Sequence, residues 1–224
     1  MKDNHNNESK TIYILRHAQT GGNVEGKWLG ARSIDELNEY GKKQARENAD
    51  YLKSIAINTS RIYSSPTPRA LEHAEILQKT LQIPIEKIHS LTEINLGVLE
   101  DRTREQGIKL LPSEIINWQE NLKDFEPPLG ESAIEAGERF YETVRFIAQN
   151  SQDSELLIVS HGVVIKLLLG RILSASIETG EAKIEVPWTN HGSITILKCF
   201  GKRFKFKKVI ENKYPDSKEV AAFG

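Results

Sequence analysis

Cysteine is nearly absent from this chain. Cys199 is the only one in 224 residues, so no intramolecular disulfide can staple the fold, and a reducing cytoplasm is the simplest home. Excess charge is missing too: 30 Lys plus Arg face 31 Asp plus Glu, a formal net charge of -1. That balance gives no electrostatic reason to expect nucleic acid or an anionic membrane as partner, and any positive field has to be local. The longest apolar run, around Val163 to Leu169, falls far short of the ~20 residues that cross a bilayer. Residues 1–10 are polar, without an apolar segment of signal-peptide length. The histidines show neither His-Glu-x-x-His spacing nor a Cys-rich ligand set, so a zinc site is not expected, and there is no internal repeat.

What is present is an alternation of strand-like and helical runs, the pattern of parallel β-α-β units in one α/β domain. Strands are expected near 11–16, 61–64, 85–89 and 155–160. Helices are expected near 39–55, 113–124, 132–149 and 162–173. Another starts at Pro68, with Ala70, Ala74, Leu77 and Leu81 on one face. Ile194–Leu197 and Phe204–Phe206 alternate about Gly201-Lys202, which reads as a hairpin on a sheet edge. The expected boundaries are a flexible tail over 1–10, a catalytic domain over 11–212 and a second tail over 213–224.

Two strand endings carry the chemistry. Thr11-Ile12-Tyr13-Ile14-Leu15 runs into Arg16-His17, and Leu156-Leu157-Ile158-Val159 runs into Ser160-His161-Gly162. Each delivers a histidine to the carboxyl edge of a sheet, where open α/β folds bind ligands. Taken alone, such a histidine is more often structural than nucleophilic. Arg16-His17-Ala18-Gln19-Thr20 is joined, in order, by Asn23, by Leu37-Asn38-x-x-Gly41-x-x-Gln44-Ala45 and by Ser64-Ser65-Pro66-Thr67-Pro68-Arg69. Leu91-Thr92-Glu93, Pro128-Leu129-Gly130-Glu131-Ser132 and Ser160-His161-Gly162 complete the set. From about Thr11 to about Asn212 the chain resembles the histidine phosphatase (phosphoglycerate mutase-like) superfamily.

That resemblance implies a three-layer α/β/α fold, a mostly parallel sheet with an antiparallel edge hairpin. It also implies a phosphomonoesterase acting on small phosphorylated metabolites without metal or cofactor. His17 would be the nucleophile, passing through phosphohistidine, and Glu93 the proton donor. Arg16, Arg69, His161 and Asn23 would bind the phosphoryl oxygens alongside it, a set of planar forks and donors suited to phosphate. Glu100 and Asp101 stand near enough in sequence to be alternative acids. Lys27, Arg32, Arg102 and Arg104 are candidates for a second anionic group. His73 and His89 read as structural or exposed. His191 stays ambiguous, since Asn190-His191-Gly192 precedes a strand that can border the pocket.

Within the family, mutases continue the acid segment as Glu-Arg-His-Tyr-Gly, and this chain reads Glu93-Ile94-Asn95-Leu96-Gly97. A mutase's Trp-Arg-Arg is replaced by Trp118-Gln119-Glu120. The cations that would grip a substrate carboxylate are missing, which favours hydrolysis over phosphoglycerate mutase-type transfer. A non-catalytic phospho-ligand-binding module on the same fold is the alternative from another class.

Overall fold

The computed structural model describes residues 9–175 and 186–216. Its strands are β1 (Lys10–Arg16), β2 (Ile62–Ser64), β3 (Ile85–Lys87), β4 (Glu155–Ser160), β5 (Ile194–Phe200) and β6 (Arg203–Ile210). Its helices are α1 (Gly21–Val24), α2 (Glu39–Ser54), α3 (Pro68–Leu81), α4 (Arg104–Leu110), α5 (Pro112–Glu120), α6 (Ala133–Asn150) and α7 (Gly162–Ser174). The sheet order is β3-β2-β4-β1-β5-β6. The β1–β4, β2–β4 and β2–β3 pairs are parallel, while β5 and β6 add an antiparallel edge.

Successive residues of a strand face opposite sides, and here both sides are apolar. Ile12, Ile14, Leu156 and Ile158 enter one core cluster with Phe140, Val144, Val164 and Leu168. Tyr13, Leu15, Leu157 and Val159 enter another with Leu52, Ala70, Ala74 and Leu77. Helices α6 and α7 therefore cover one face and α2 and α3 the other, which makes the three layers. Burying a Leu, Ile or Phe side chain in such a core contributes about 1.5–3 kcal/mol, and strand residues Ile12, Ile14 and Leu15 are fully buried.

Local chemistry sets several boundaries. Pro68 occupies the first turn of α3, whose missing N–H costs nothing there, and Gln82 ends it in the left-handed region. A Ser132/Glu135 capping box starts α6. Gly201, at φ 58°, turns the β5–β6 hairpin.

Two expectations need correction, and two short helices were not foreseen. The single helix expected over 113–124 is broken: Asn121 leaves the helical region, at φ -147° and ψ 88°, and only a short turn, Leu122–Asp124, follows α5. The short helices α1 and α4 carry too little periodicity to be seen in the sequence. The tails are also shorter than expected. Lys10 is already in β1, with its ammonium on the carbonyls of Ser151 and Asp153. At the other end Tyr214, Pro215 and Asp216 are held by α2 and the site. Tyr40 Oη donates to Pro215 O, and Gln44 Nε2 donates to Tyr214 O. Residues 1–8 and 217–224 of the expected tails lie outside the described residues.

Candidate active site

Strand register brings the two histidines together. Arg16 pairs with Ser160 across β1 and β4, and His17 N donates to Ser160 O at 2.8 Å, so His17 and His161 leave the sheet side by side with ring centroids 5.2 Å apart. Strand β2 stops at the same edge, where Ser65 N donates to Val159 O and the chain turns into α3, carrying Arg69. Because β5 runs antiparallel to β1, it begins at this edge, and the preceding residues put the His191 ring 5.5 Å from that of His17. All four side chains are buried.

His17 is held as a neutral imidazole. Its Nδ1 lies 2.8 Å from its neighbour's carbonyl, Ala18 O, which can only accept. The proton therefore belongs on Nδ1, and Nε2 keeps a lone pair, 3.2 Å from the Arg69 Nε donor. Burial holds the ring well below the ordinary imidazole value, and the nearby Arg69, His161, His191 and Arg16 push the same way. His161 is depressed likewise, first by burial and then by Arg69 and Arg16. Its Nε2 lies 2.8 Å from Ser65 Oγ and 3.2 Å from Thr67 Oγ1, and its Nδ1 has no partner among the described residues.

The guanidinium groups are fixed by carbonyls. Arg69 Nη1 donates to Ser33 O, and Nη2 donates to Leu29 O and Gly30 O. This wraps loop 29–33 around Arg69. Arg16 Nη1 donates to Thr189 O and Nη2 to His191 Nε2, both at 2.6 Å, while Nε has no partner among the described residues. Burial lowers the Arg16 pKa to about 10, so it stays cationic near neutrality. Gly162 is required beside it: a Cβ there would lie 2.9 Å from Arg16 Cζ.

Glu93 lies over the start of α7. Its Oε2 accepts from Val163 N, and its Oε1 accepts from Val164 N and Ile94 N. Those N–H groups favour the carboxylate, as does the positive end of the helix, but burial outweighs them and raises the pKa. Glu100, one of the alternative acids, is occupied elsewhere: its carboxylate accepts from Gly30 N, Leu96 N and Ser33 Oγ and ties two loops together. Asp101 is exposed at φ 61°.

An open cavity is lined by Arg16, His17, Asn23, Glu93, Lys27 and Trp118, among others. Arg69 and His161 are fully buried and do not line it, but both lie against His17, through Arg69 Nε at 3.2 Å from Nε2 and through the His161 ring. Asn23 Oδ1 caps its own helix by accepting from Thr20 N and Oγ1, leaving its amide nitrogen for the cavity. Of the four cations considered for a second anionic group, Lys27 alone lines this cavity, and it is paired with Glu25 at 2.6 Å. Arg32 Nη2 and Arg102 Nε donate to the carbonyls of Gly97 and Val98. His73 is a buried core residue.

Sequence reasoning left His191 open and missed Thr189, Trp188 and Asp216. The Trp188 ring packs beneath Lys166 Nζ, 4.4 Å from its centroid, with Arg16 Cζ at 5.8 Å. Only the position before a strand at the site edge pointed to His191; no local pattern singles out Asp216.

This arrangement has relatives. The family model for the histidine phosphatase superfamily, branch 1, matches residues 12–212. A probable phosphoglycerate mutase GpmB of Escherichia fergusonii is 34% identical over 166 residues, 72% of this chain and 74% of that protein. An uncharacterized phosphatase PhoE of Bacillus subtilis is 29% identical over 161 residues, 72% and 76% of the two chains. The solved structure of Bacillus stearothermophilus YhfR superposes with a TM-score of 0.76 at 27% identity, covering 94% of this chain and 99% of that one. The chain belongs to the histidine phosphatase superfamily.

Proposed function

We propose that the protein is a metal-independent phosphomonoesterase for small phosphorylated metabolites, working through phosphohistidine on His17. The observation that carries this reading is the pairing, in one cavity, of a neutral His17 whose lone pair is on Nε2 with a Glu93 whose carboxyl is raised by burial. A nucleophile and an acid with separately tuned protonation are what phosphoryl transfer to an enzyme group needs.

In the forward step His17 Nε2 attacks phosphorus, the ester P–O bond breaks, and Glu93 gives its proton to the leaving alkoxide. Arg16 Nε and the Arg69 Nε–H that now faces His17 Nε2 supply donors to the phosphoryl oxygens, assisted by Asn23 and His161. In the second step the Glu93 carboxylate takes a proton from water as its oxygen attacks phosphorus, the P–N bond breaks, and inorganic phosphate and neutral His17 are restored. Glu93 gives one proton to the alkoxide and regains one from water, so the acid and base roles alternate and the cycle closes with Glu93 protonated.

The phosphoglycerate mutase reading is kept because a relative carries that name. The cavity lining supports it less: outside the phosphoryl site it offers Lys27, already paired with Glu25, beside Trp28, Leu29, Leu96 and Trp118. With 3-phosphoglycerate and a bisphosphoglycerate primer, phosphate release should exceed formation of 2-phosphoglycerate; efficient isomer formation with little free phosphate would favour the mutase. The direct test is rapid quench with labelled substrate. It should trap an acid-labile, base-stable phosphoryl adduct in the wild type and none in His17→Ala. Normal turnover by that variant would refute the mechanism.

A further inference from the structure

The segment after β6 reaches back to the phosphoryl site. Asp216 Oδ2 accepts from both His191 N, at 3.0 Å, and His191 Nδ1, at 2.7 Å. Its Oδ1 accepts from Gln19 Nε2 at 3.0 Å and Gln44 Nε2 at 3.4 Å. The carboxylate is fully enclosed, and the His191 side chain is 1% exposed. On the far side of the imidazole, Nε2 meets Arg16 Nη2 at 2.6 Å. A guanidinium can only donate, so His191 has to present a lone pair on Nε2 and carry its proton on Nδ1, and a carboxylate at Nδ1 selects that tautomer.

We propose that Asp216 and His191 form a clamp that positions Arg16 for the phosphoryl group, with residues 214–216 as a strap that completes the site. Asp216 touches no reacting atom; it acts through His191. Two acceptors, His191 Nε2 and Thr189 O, fix the two terminal nitrogens of Arg16 and leave the buried Nε, which has no partner among the described residues, as the guanidinium's remaining donor beside the cavity that Arg16 lines. Burial takes the imidazole pKa down to about 4, with Arg16 adding to the fall and Asp216 opposing it; donors from His191 and Gln19 outweigh burial and bring Asp216 to about 2. Near neutrality the clamp is therefore a neutral ring between an anion and a cation. The strap is anchored independently of His191: Tyr40 and Gln44 of α2 hold the carbonyls of Pro215 and Tyr214, and Tyr214 N donates to Asn212 Oδ1.

The inference rests on the phosphoryl-binding role given to Arg16, so its test reads phosphate affinity and tautomer apart from turnover. Nitrogen-15 spectra of the full chain should show His191 protonated on Nδ1, and Asp216→Ala should shift the proton toward Nε2. Calorimetry with inorganic phosphate should show affinity about 10- to 100-fold weaker in Asp216→Ala and in His191→Leu, the usual loss when an orienting partner is removed. The double variant should be no weaker than His191→Leu, because both act on one guanidinium. His191→Gln should retain affinity within about threefold, since an amide can accept from Arg16 and donate to Asp216. Protonation of His191 on Nε2 in the wild type would overturn the clamp whether or not any variant folds. So would unchanged phosphate affinity in Asp216→Ala, or fully additive losses in the double variant. A wild type that binds phosphate yet hydrolyses no phosphomonoester would remove the hydrolytic reading alone, and the Asp216→Ala affinity loss would still support the strap.

Discussion

Arg139 and Glu131 meet at two points, Nε to Oε1 and Nη2 to Oε2, each at 2.8 Å. The same guanidinium donates to the carbonyls of Ser90, Thr92 and Glu93. Glu131 is the acid of the Pro-Leu-Gly-Glu-Ser turn, so that turn and α6 together hold the segment carrying Glu93. The pair is only partly exposed, 24% and 19%, and removing Arg139 takes the donor from three carbonyls.

Arg139→Ala should therefore lower unfolding free energy by about 1–3 kcal/mol, from backbone acceptors left unsatisfied, and should slow alkyl phosphates more than aryl phosphates because Glu93 loses its support. Glu131→Gln should do both more mildly. Denaturant titration and paired assays on the two substrate types check this; a stability loss with an unchanged aryl-to-alkyl ratio would separate Arg139 from the acid.

Glu93→Gln should cut single-turnover hydrolysis of alkyl phosphates by about 10²–10⁴. An aryl leaving group needs less protonation, so its loss should be much smaller. Equal losses on both would make Glu93 structural. Glu100→Gln should behave differently, weakening stability through the loops it joins while sparing the ratio.

Exhaustive chelation should leave activity essentially intact, because the charge of the phosphoryl group is assigned to Arg16, Arg69 and His161. Vanadate should compete with substrate. Activity lost to chelator and restored by zinc or magnesium would overturn this electrostatic assignment.

His73 offers a pH test of stability. Fully buried on α3, with Nε2 accepting from Asn48 Nδ2 at 3.4 Å, it is lowered by burial from 6.5 to about 3. A depressed folded-state pKa means the unfolded chain binds the extra proton. The contribution is thus fully present above about pH 6.5 and is lost as pH falls toward 3, at up to about 1.4 kcal/mol per pH unit. Unfolding titrations between pH 7 and pH 4 should show a shallower acid slope for His73→Gln than for the wild type. Parallel slopes would mean that His73 is protonated at little cost in the fold.

Much of the site was legible because its residues sit at fixed offsets from strand ends. His17 follows β1, His161 follows β4, and Arg69 opens α3 after β2, so the periodicity that locates the strands also locates the sheet edge. The broken helix at Asn121 was not legible, because a three-residue turn and a helix share the same short-range spacing. Only the family resemblance, and no local pattern, favoured Glu93 over Glu100. Both are glutamates in one loop region, and only packing puts Glu93 over the first turn of α7 while Glu100 closes on Gly30 and Ser33.

By itself the sequence determined the α/β alternation, the two apolar faces of the central strands and the identity of the groups at the carboxyl edge. These depend on residue type and local period, which a linear chain displays. Tertiary structure decided which nitrogen of His17 is free, how far Glu93 is buried, and that Asp216 reaches His191 from 25 residues away in the chain. Tautomer and proton affinity depend on the acceptors and the low-dielectric surroundings that the fold brings together, and no local pattern in the chain encodes those contacts.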